Sequence, residues 1–341
     1  MSPAWAQLTV TVPAEGDPPK YFSGTNSRIN AKAVTSGSQH VASLKVFIEG
    51  QEAYSTTSPT PPPFKAEIKV SLMFDSTHFE VPADGKLTVR AEATDENGTL
   101  YVKEIEVPVS NKAVLFQNPF YGNVPGGDGF TPTKAALEAC NYTIAVANNT
   151  GSWTKANVMA ALEDCNAFYV NTHGTTTPKF QTPAGDWVTV PDVLTSRTNA
   201  IGTDLPPFNS TGKPPMSISF IDSCDTSQGQ NNAFGDAFQF PNKNEYNRLM
   251  PEDQAHFGWQ TLVAAAIANK WNTYLWSALQ SGITASKARD EAVIKMATIE
   301  KVYILPTQVW LTGDANARLH NVYTGTELPA PTPWVRVIPN Y

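Results

Sequence analysis

Scarcity narrows the field before any motif does. Only three cysteines, Cys140, Cys165 and Cys224, occur in 341 residues, and an odd number leaves at least one thiol unpaired. Charged residues make up 16% of the chain, the net charge is -7, and no Lys/Arg-rich run is present. That balance argues against a nucleic-acid backbone or an anionic membrane as the main partner. Long apolar runs are also lacking. The longest, TLVAAAIANKWNTYLW, is interrupted by Asn269, Lys270 and Asn272, short of the roughly 20 predominantly apolar residues that a bilayer crossing requires. The first residues, MSPAWAQLTV, have neither the charged nor the apolar part of a signal peptide. Ala4-Trp5-Ala6 before Gln7 does have the small-x-small form of a cleavage site, consistent with a chain that starts beside a removed export signal; an arbitrary start fits equally.

What is present divides in two. Hydrophobic residues reach 41%, and the length exceeds the ~250–300 residues at which single cores stop growing, so two domains are expected. After an arm over residues 1–20, residues 21–110 read as strands only. Phe64, Ala66, Ile68, Val70, Leu72 and Phe74 alternate with mostly polar neighbours, as do Leu87, Val89, Ala91 and Ala93. Asp95-Glu96-Asn97-Gly98 supplies a turn. The pattern predicts a small antiparallel, immunoglobulin-like β-sandwich without cysteine, serving support, spacing or binding.

Over residues 111–320 the rhythm changes to apolar runs alternating with helical patterns: KAVLFQN, TPTKAALEAC, YTIAVA, TKANVMAALEDC, NAFYVN. SISFID, AHFGW and QVWLTGD add strands, the last after a long helical stretch over 260–300. Such alternation predicts an α/β unit: a mostly parallel six-stranded sheet with helices on both faces. Residues 321–341 form a tail or an edge strand. Cys140 and Cys165 each end a helix, and if those helices cover opposite faces a disulfide between them has no workable geometry. Gly126-Gly127-Asp128-Gly129 invites a nucleotide reading, but no Gly-Lys-Ser/Thr follows and Pro132 stands where the last glycine of GxGxxG would fall. A flexible loop at the sheet's carboxyl edge is the better account.

Ligands of open α/β sheets gather outside the carboxyl ends of the strands. There the third strand delivers Asn171-Thr172-His173-Gly174 and the fourth Asp222-Ser223-Cys224. Adjacent strands lie ~4.8 Å apart, so a histidine and a thiol leaving neighbouring ends can share one carbonyl substrate as general acid/base and nucleophile. Taken alone, Cys224 would be an ordinary small buried hydrophobe; its pairing with His173 is what points to chemistry.

A strand ending in His-Gly followed by one ending in Asp-Ser-Cys resembles the caspase-like cysteine peptidases, which include metacaspases, legumains, clostripain and gingipains. The resemblance spans residues 111–320 and extends to the closing GDANARL. Thr172 stands where metacaspases carry the first glycine of Gly-His-Gly, Asp225-Thr226 replace their His-Ser, the caspase Gln-Ala-Cys-x-Gly signature is absent, and the β domain precedes the catalytic one instead of following it as in gingipains. The resemblance implies acyl transfer. Cys224 is the nucleophile, His173 the acid/base, and the N–H groups of Gly174 and Cys224 the oxyanion hole. Asp222 matches the aspartate of an acidic pocket for Arg or Lys, and Asp225 adds charge nearby. A buried carboxylate bonded at a strand end accounts for Asp222 equally well.

The other histidines, His40, His78, His256 and His320, are assigned surface or packing roles, and none forms a metal-ligand pair at helical spacing. No cofactor is called for, calcium being left open. The expected partner is a peptide or protein substrate, met outside the cytoplasm, with neither nucleic acid nor a membrane span involved. The alternative is a catalytically silent relative that acts as a surface binding or adhesion module. A glycosidase, suggested by eight tryptophans, has no placed pair of carboxylates to support it. In the long segment after Cys224, Lys243 and Arg248 are candidate self-cleavage points for an enzyme that prefers basic residues.

Overall fold

Alternating apolar residues near the N-terminus fold into paired strands in the computed structural model, which describes residues 7–11, 22, 27–35, 40–57, 65–82, 84–109, 111–124, 128–201, 216–227, 233–238, 254–319 and 334–337. β1 (Gln7–Thr11), β2 (Ser27–Val34) and β5 (Glu67–Phe74) pair antiparallel in the order β1-β2-β5. β3 (Val41–Ile48), β4 (Gln51–Thr57), β6 (Lys86–Asp95) and β7 (Leu100–Pro108) form a second antiparallel sheet in the order β4-β3-β6-β7. One core joins them. Ile29, Ala31, Val70 and Leu72 of the first sheet meet Leu44, Val46, Val89 and Ala91 of the second, all fully or nearly fully buried. Period-2 alternation puts every second side chain on one face, which is how two half-apolar sheets become a sandwich.

The second unit begins with β8 (Lys112–Gln117) and the single-turn α1 (Pro119–Gly122), then α2 (Phe130–Ala139), β9 (Thr143–Asn148), α3 (Lys155–Leu162) and β10 (Ala167–Asn171). Three short strands follow, β11 (Gly174–Thr175), β12 (Lys179–Gln181) and β13 (Trp187–Thr189), then α4 (Val190–Ile201), β14 (Ile218–Asp222), α5 (Ala233–Ala237) and β15 (Ala255–Trp259). α6 (Ala265–Gln280), α7 (Ala285–Thr298) and β16 (Val309–Gly313) complete the unit. Its sheet has six strands in the order β16-β15-β14-β10-β8-β9, all parallel except β16. β10, β14 and β15 are buried at every position, as strands covered on both faces must be.

The two faces have separate cores. Tyr169, Phe220 and Phe257 pack with Trp271, Trp276 and Leu137 beneath α2, α6 and α7. Phe168, Val170 and Ile221 pack with Val158, Val193 and Phe234 beneath α3, α4 and α5. Cys140 belongs to the first core and Cys165 to the second, and all three cysteines are free thiols.

Three features differ from the sequence pattern. The helical stretch expected over 260–300 is two helices, because Gly282 takes φ 81° in the break between them, a conformation open to glycine. The arm over 1–20 contributes β1, and the tail, expected as a tail or an edge strand, contributes the edge strand β17 (Val335–Val337) to the sandwich, antiparallel to β5. Segments from both ends of the chain therefore join the sandwich. The small sheet β11-β12-β13 had no signal, since strands of two or three residues are too short to show a period. The two units touch through the turn after β5, where Ser76 Oγ donates to Asn111 Oδ1 at 3.0 Å and Asn141 Nδ2 donates to the Thr77 carbonyl at 3.0 Å.

Phe220 lies at the centre of the first α/β core, fully buried, with ring centroids of Trp271, Tyr169 and Phe257 at 5.7, 5.9 and 6.1 Å. Phe220→Ala should lower unfolding free energy by about 3–5 kcal/mol through lost burial and the cavity left behind, measured by urea denaturation; a loss below ~1 kcal/mol would mean the core refills the space.

Candidate active site at the carboxyl edge of the sheet

Parallel pairing of β10 with β14 matches Asn171 to Asp222. Two residues past that pair, outside the paired strands, the chain reaches His173 after β10 and Cys224 after β14. The strands stay joined past their ends: Thr172 N–H donates to the Asp222 carbonyl at 3.3 Å and Ser223 Oγ donates to the Thr172 carbonyl at 2.8 Å. Gly174 then lies against the Cys224 turn so closely that an added Cβ would overlap the Cys224 carbonyl oxygen and come within 3.1 Å of its nitrogen. The backbone that Gly174 must approach is thus that of Cys224 itself. Gly174 stands opposite Phe180 while the Gln181 N–H donates to the His173 carbonyl at 2.8 Å. In that alternation the Gly174 N–H points away from β12.

The two candidate catalytic side chains each have a different partner. The Cys224 thiol donates to the Val263 carbonyl at 3.5 Å and accepts from the Val263 N–H at 3.4 Å. His173 is exposed, its ring centroid 5.8 Å from that of Trp187, over which the Lys179 ammonium lies at 4.4 Å. Burial holds the Cys224 pKa above the ordinary thiol value; the Asp225 and Asp222 charges push the same way, against the Val263 N–H. Burial raises the pKa of the Tyr121 phenol in α1, and a charge on Cys224 would push it the same way.

Asp222 faces the core. It is 3% exposed, Trp259 Nε1 donates to its Oδ1 at 2.7 Å and the Tyr169 hydroxyl to its Oδ2 at 3.3 Å. Burial raises its pKa to about 7 against the pull of those two donors. Asp225 is also buried, in the left-handed region at φ 58°, and burial raises its pKa too.

Beneath this edge lies a polar network that no motif announced. Asn269 receives Asn171 Nδ2 at 2.7 Å and donates to the Tyr121 carbonyl at 2.8 Å. Asn272 Nδ2 reaches the Gly129 carbonyl at 2.8 Å, the Tyr169 hydroxyl at 2.9 Å and Thr133 Oγ1 at 3.1 Å. The available signal was two asparagines at i and i+3 inside an apolar helical run. Gly129, expected from sequence to lie in a flexible loop, is buried at the start of α2, where an added Cβ would collide with Tyr169 and Asn272. Asp128 beside it is half-buried, caps Thr131, and its charge is felt by the Tyr169 phenol.

The remaining histidines sit apart. His40 Nδ1 lies 3.1 Å from Glu96 Oε2 in the sandwich, His78 stacks on Trp334 at 5.2 Å, and His256 is buried with Nδ1 2.9 Å from Ser219 Oγ. His320, Lys243, Arg248, Gly126, Gly127 and Ala4-Trp5-Ala6 lie outside the described residues. Among the described residues no three His, Cys, Asp or Glu side chains gather to hold a metal ion, and no helix is long and apolar enough to cross a membrane.

No family model matches the chain, and no curated protein matches it. Among solved structures it is similar to the Arg-specific cysteine proteinase gingipain R, with 14% identity, 61% of this chain and 47% of that chain covered, and a TM-score of 0.41. Partial likenesses at 30% of this chain include a superoxide reductase from Ignicoccus hospitalis (10% identity, 80% of that chain, TM-score 0.20) and fibronectin(III)-like modules of Clostridium thermocellum CbhA (19% identity, 94% of that chain, TM-score 0.19). At these scores none of the likenesses assigns an activity or a site residue.

The geometry of the edge makes two outcomes measurable. Gly174→Ala must displace the Cys224 turn, so the rate of Cys224 alkylation by iodoacetamide should change several-fold while the fold persists; an unchanged rate would show that the turn yields freely. For Asp222, the folded pKa of about 7 lies above the ordinary 3.8, so the folded state binds the extra proton between those values. Its contribution to stability is full below about pH 4 and is lost as pH rises through 7. Asp222→Asn does not titrate, so its Tm relative to wild type should climb across that window and level off above it, read by thermal denaturation at a series of pH values.

Proposed function

We propose that the chain is a caspase-like cysteine endopeptidase with a His173/Cys224 dyad, preceded by an immunoglobulin-like sandwich. The observation that carries this is the parallel pairing of β10 with β14, whose carboxyl ends lead directly into His173 and Cys224, with Gly174 packed against the Cys224 backbone. His173 takes the thiol proton as the sulfur attacks the peptide carbonyl carbon, and the tetrahedral oxyanion is held by the N–H groups of Gly174 and Cys224. When the C–N bond breaks, His173 returns the proton to the departing amine. His173 then takes a proton from water as its oxygen attacks the thioester, and the thiolate leaves and is reprotonated. With the thiol pKa raised by burial, the sulfur depends on the imidazole for activation. Apo enzymes often hold such pairs apart until substrate arrives.

Cleavage after Arg or Lys is the finer reading. Asp222 is the carboxylate the family resemblance offers for it, but its side chain is turned inward onto Trp259 and Tyr169. Asp225 is buried as well. Asp128, half-buried beside Gly129 and bonded to Thr131, is the carboxylate proposed here to meet a substrate cation. A surface or secreted setting accompanies this proposal.

One observation favours the second reading, a silent binding or adhesion module: the thiol's hydrogen bonds both go to Val263 and none to His173. Peptide turnover separates the two. Cys224→Ala and His173→Ala should each abolish hydrolysis with little change in Tm, and a folded Cys224→Ala protein with wild-type turnover would falsify the dyad. In the active enzyme, Asp128→Asn should cut kcat/KM for Arg and Lys substrates by tenfold or more relative to apolar ones; equal loss on all substrates would separate Asp128 from specificity.

A further inference from the structure

The position two residues before the thiol carries a carboxylate whose geometry fits neither a solvent-exposed pocket nor plain packing. Asp222 occupies the last paired position of β14, the strand between β10 and β15. One carboxylate oxygen accepts from the indole N–H of Trp259, the last residue of β15. The other accepts from the hydroxyl of Tyr169 in β10. A single carboxylate therefore ties the strands on either side of the one that presents the nucleophile. The tie continues into the helical layer, since the Tyr169 hydroxyl also receives Asn272 Nδ2 of α6, and Asn272 holds the Gly129 carbonyl at the start of α2. The loop leading from β15 to α6 contains Val263, the residue bonded to the thiol.

We propose that Asp222 is a positioning residue for Cys224, its carboxylate clamped between Trp259 and Tyr169 so that the clamp, and not a substrate contact, is its role in the reaction proposed above. The proposal rests on Cys224 being the reacting thiol. Protonation of a carboxyl so held changes both the strength of the clamp and the charge felt by the sulfur two residues away. Burial places that proton change near neutrality, at about pH 7. The groups that face it are few: Tyr169 from β10, the neutral Trp259 from β15, Cys224 and Asp225 from its own turn, and Asp128 through Tyr169, while the residues that α6 adds to the network, Asn269 and Asn272, are neutral.

The test reads Cys224 directly, by iodoacetamide alkylation of full-length wild type, Asp222→Asn and Trp259→Phe between pH 5.5 and 9. Wild type should show two ionisations, with the rise in rate flattened where Asp222 loses its proton. Asp222→Asn should match wild type below about pH 6 and exceed it by roughly threefold or more above pH 8, with a single ionisation. Trp259→Phe removes a donor that favours the charged carboxylate, so the flattened region should move to higher pH; this variant carries the test if Asp222→Asn does not fold. With peptide substrates, Asp222→Asn should alter kcat and its pH profile while the ratio of Arg or Lys to apolar cleavage stays within about twofold. Superimposable alkylation profiles for wild type and Asp222→Asn, or loss of the Arg/Lys ratio in that variant, overturn the proposal. The expected alkylation profiles without any peptide turnover by wild type uphold the clamp and defeat the peptidase reading, so the two fail separately.

Discussion

Everything at the candidate site depends on the parallel register between β10 and β14. Asn171 opposite Asp222 fixes which residues leave the two strands together, and the bonds from Thr172 N–H and Ser223 Oγ extend that match past the last paired residues. A slip of one residue would change which residues leave the two strands side by side. Register in a sheet covered on both sides is strongly specified by burial, because Tyr169 and Phe220 belong to one core while Phe168 and Ile221 belong to the other. The two cores that stabilise the fold therefore also set the chemistry at its edge.

Polar groups below the edge obey the same logic from the other side. Buried polar atoms are costly unless paired. Asn171, Asn269, Asn272, Tyr169, Asp222 and Trp259 meet most of that demand by bonding to one another or to backbone carbonyls, with Asn272 Oδ1 left without a partner among the described residues. The result links both neighbouring strands, α6 and the start of α2 to the strand that presents the thiol. Networks of this kind rigidify when satisfied. Rigidity suits a thiol held half-buried against Val263 that, in the reaction proposed above, meets a carbonyl in one orientation.

The sandwich contributes differently. Its sheets are antiparallel and share a core separate from the two of the α/β unit. β1 and β17, from opposite ends of the chain, lie in the same sheet on either side of the β2-β5 pair. β17 thus pairs within the N-terminal sandwich, and the turn after β5 supplies the contacts to Asn111 and Asn141.

The sequence by itself determined the sandwich strands, the alternation of strands and helices, and the position of His173-Gly174 and Asp222-Ser223-Cys224 at strand ends, since periodicity and local turn chemistry are properties of neighbouring residues. The six strands of the larger sheet were legible for the same reason. Tertiary structure alone decided the rest. Whether Asp222 faces substrate or core depends on Trp259, 37 residues away, and Tyr169, 53 residues away, and no local pattern encodes such a meeting. The places of β1 and β17 in one sheet, the thiol's attachment to Val263 and the inward turn of Asn269 and Asn272 are likewise set by partners distant in the chain, whose approach follows from packing the whole fold.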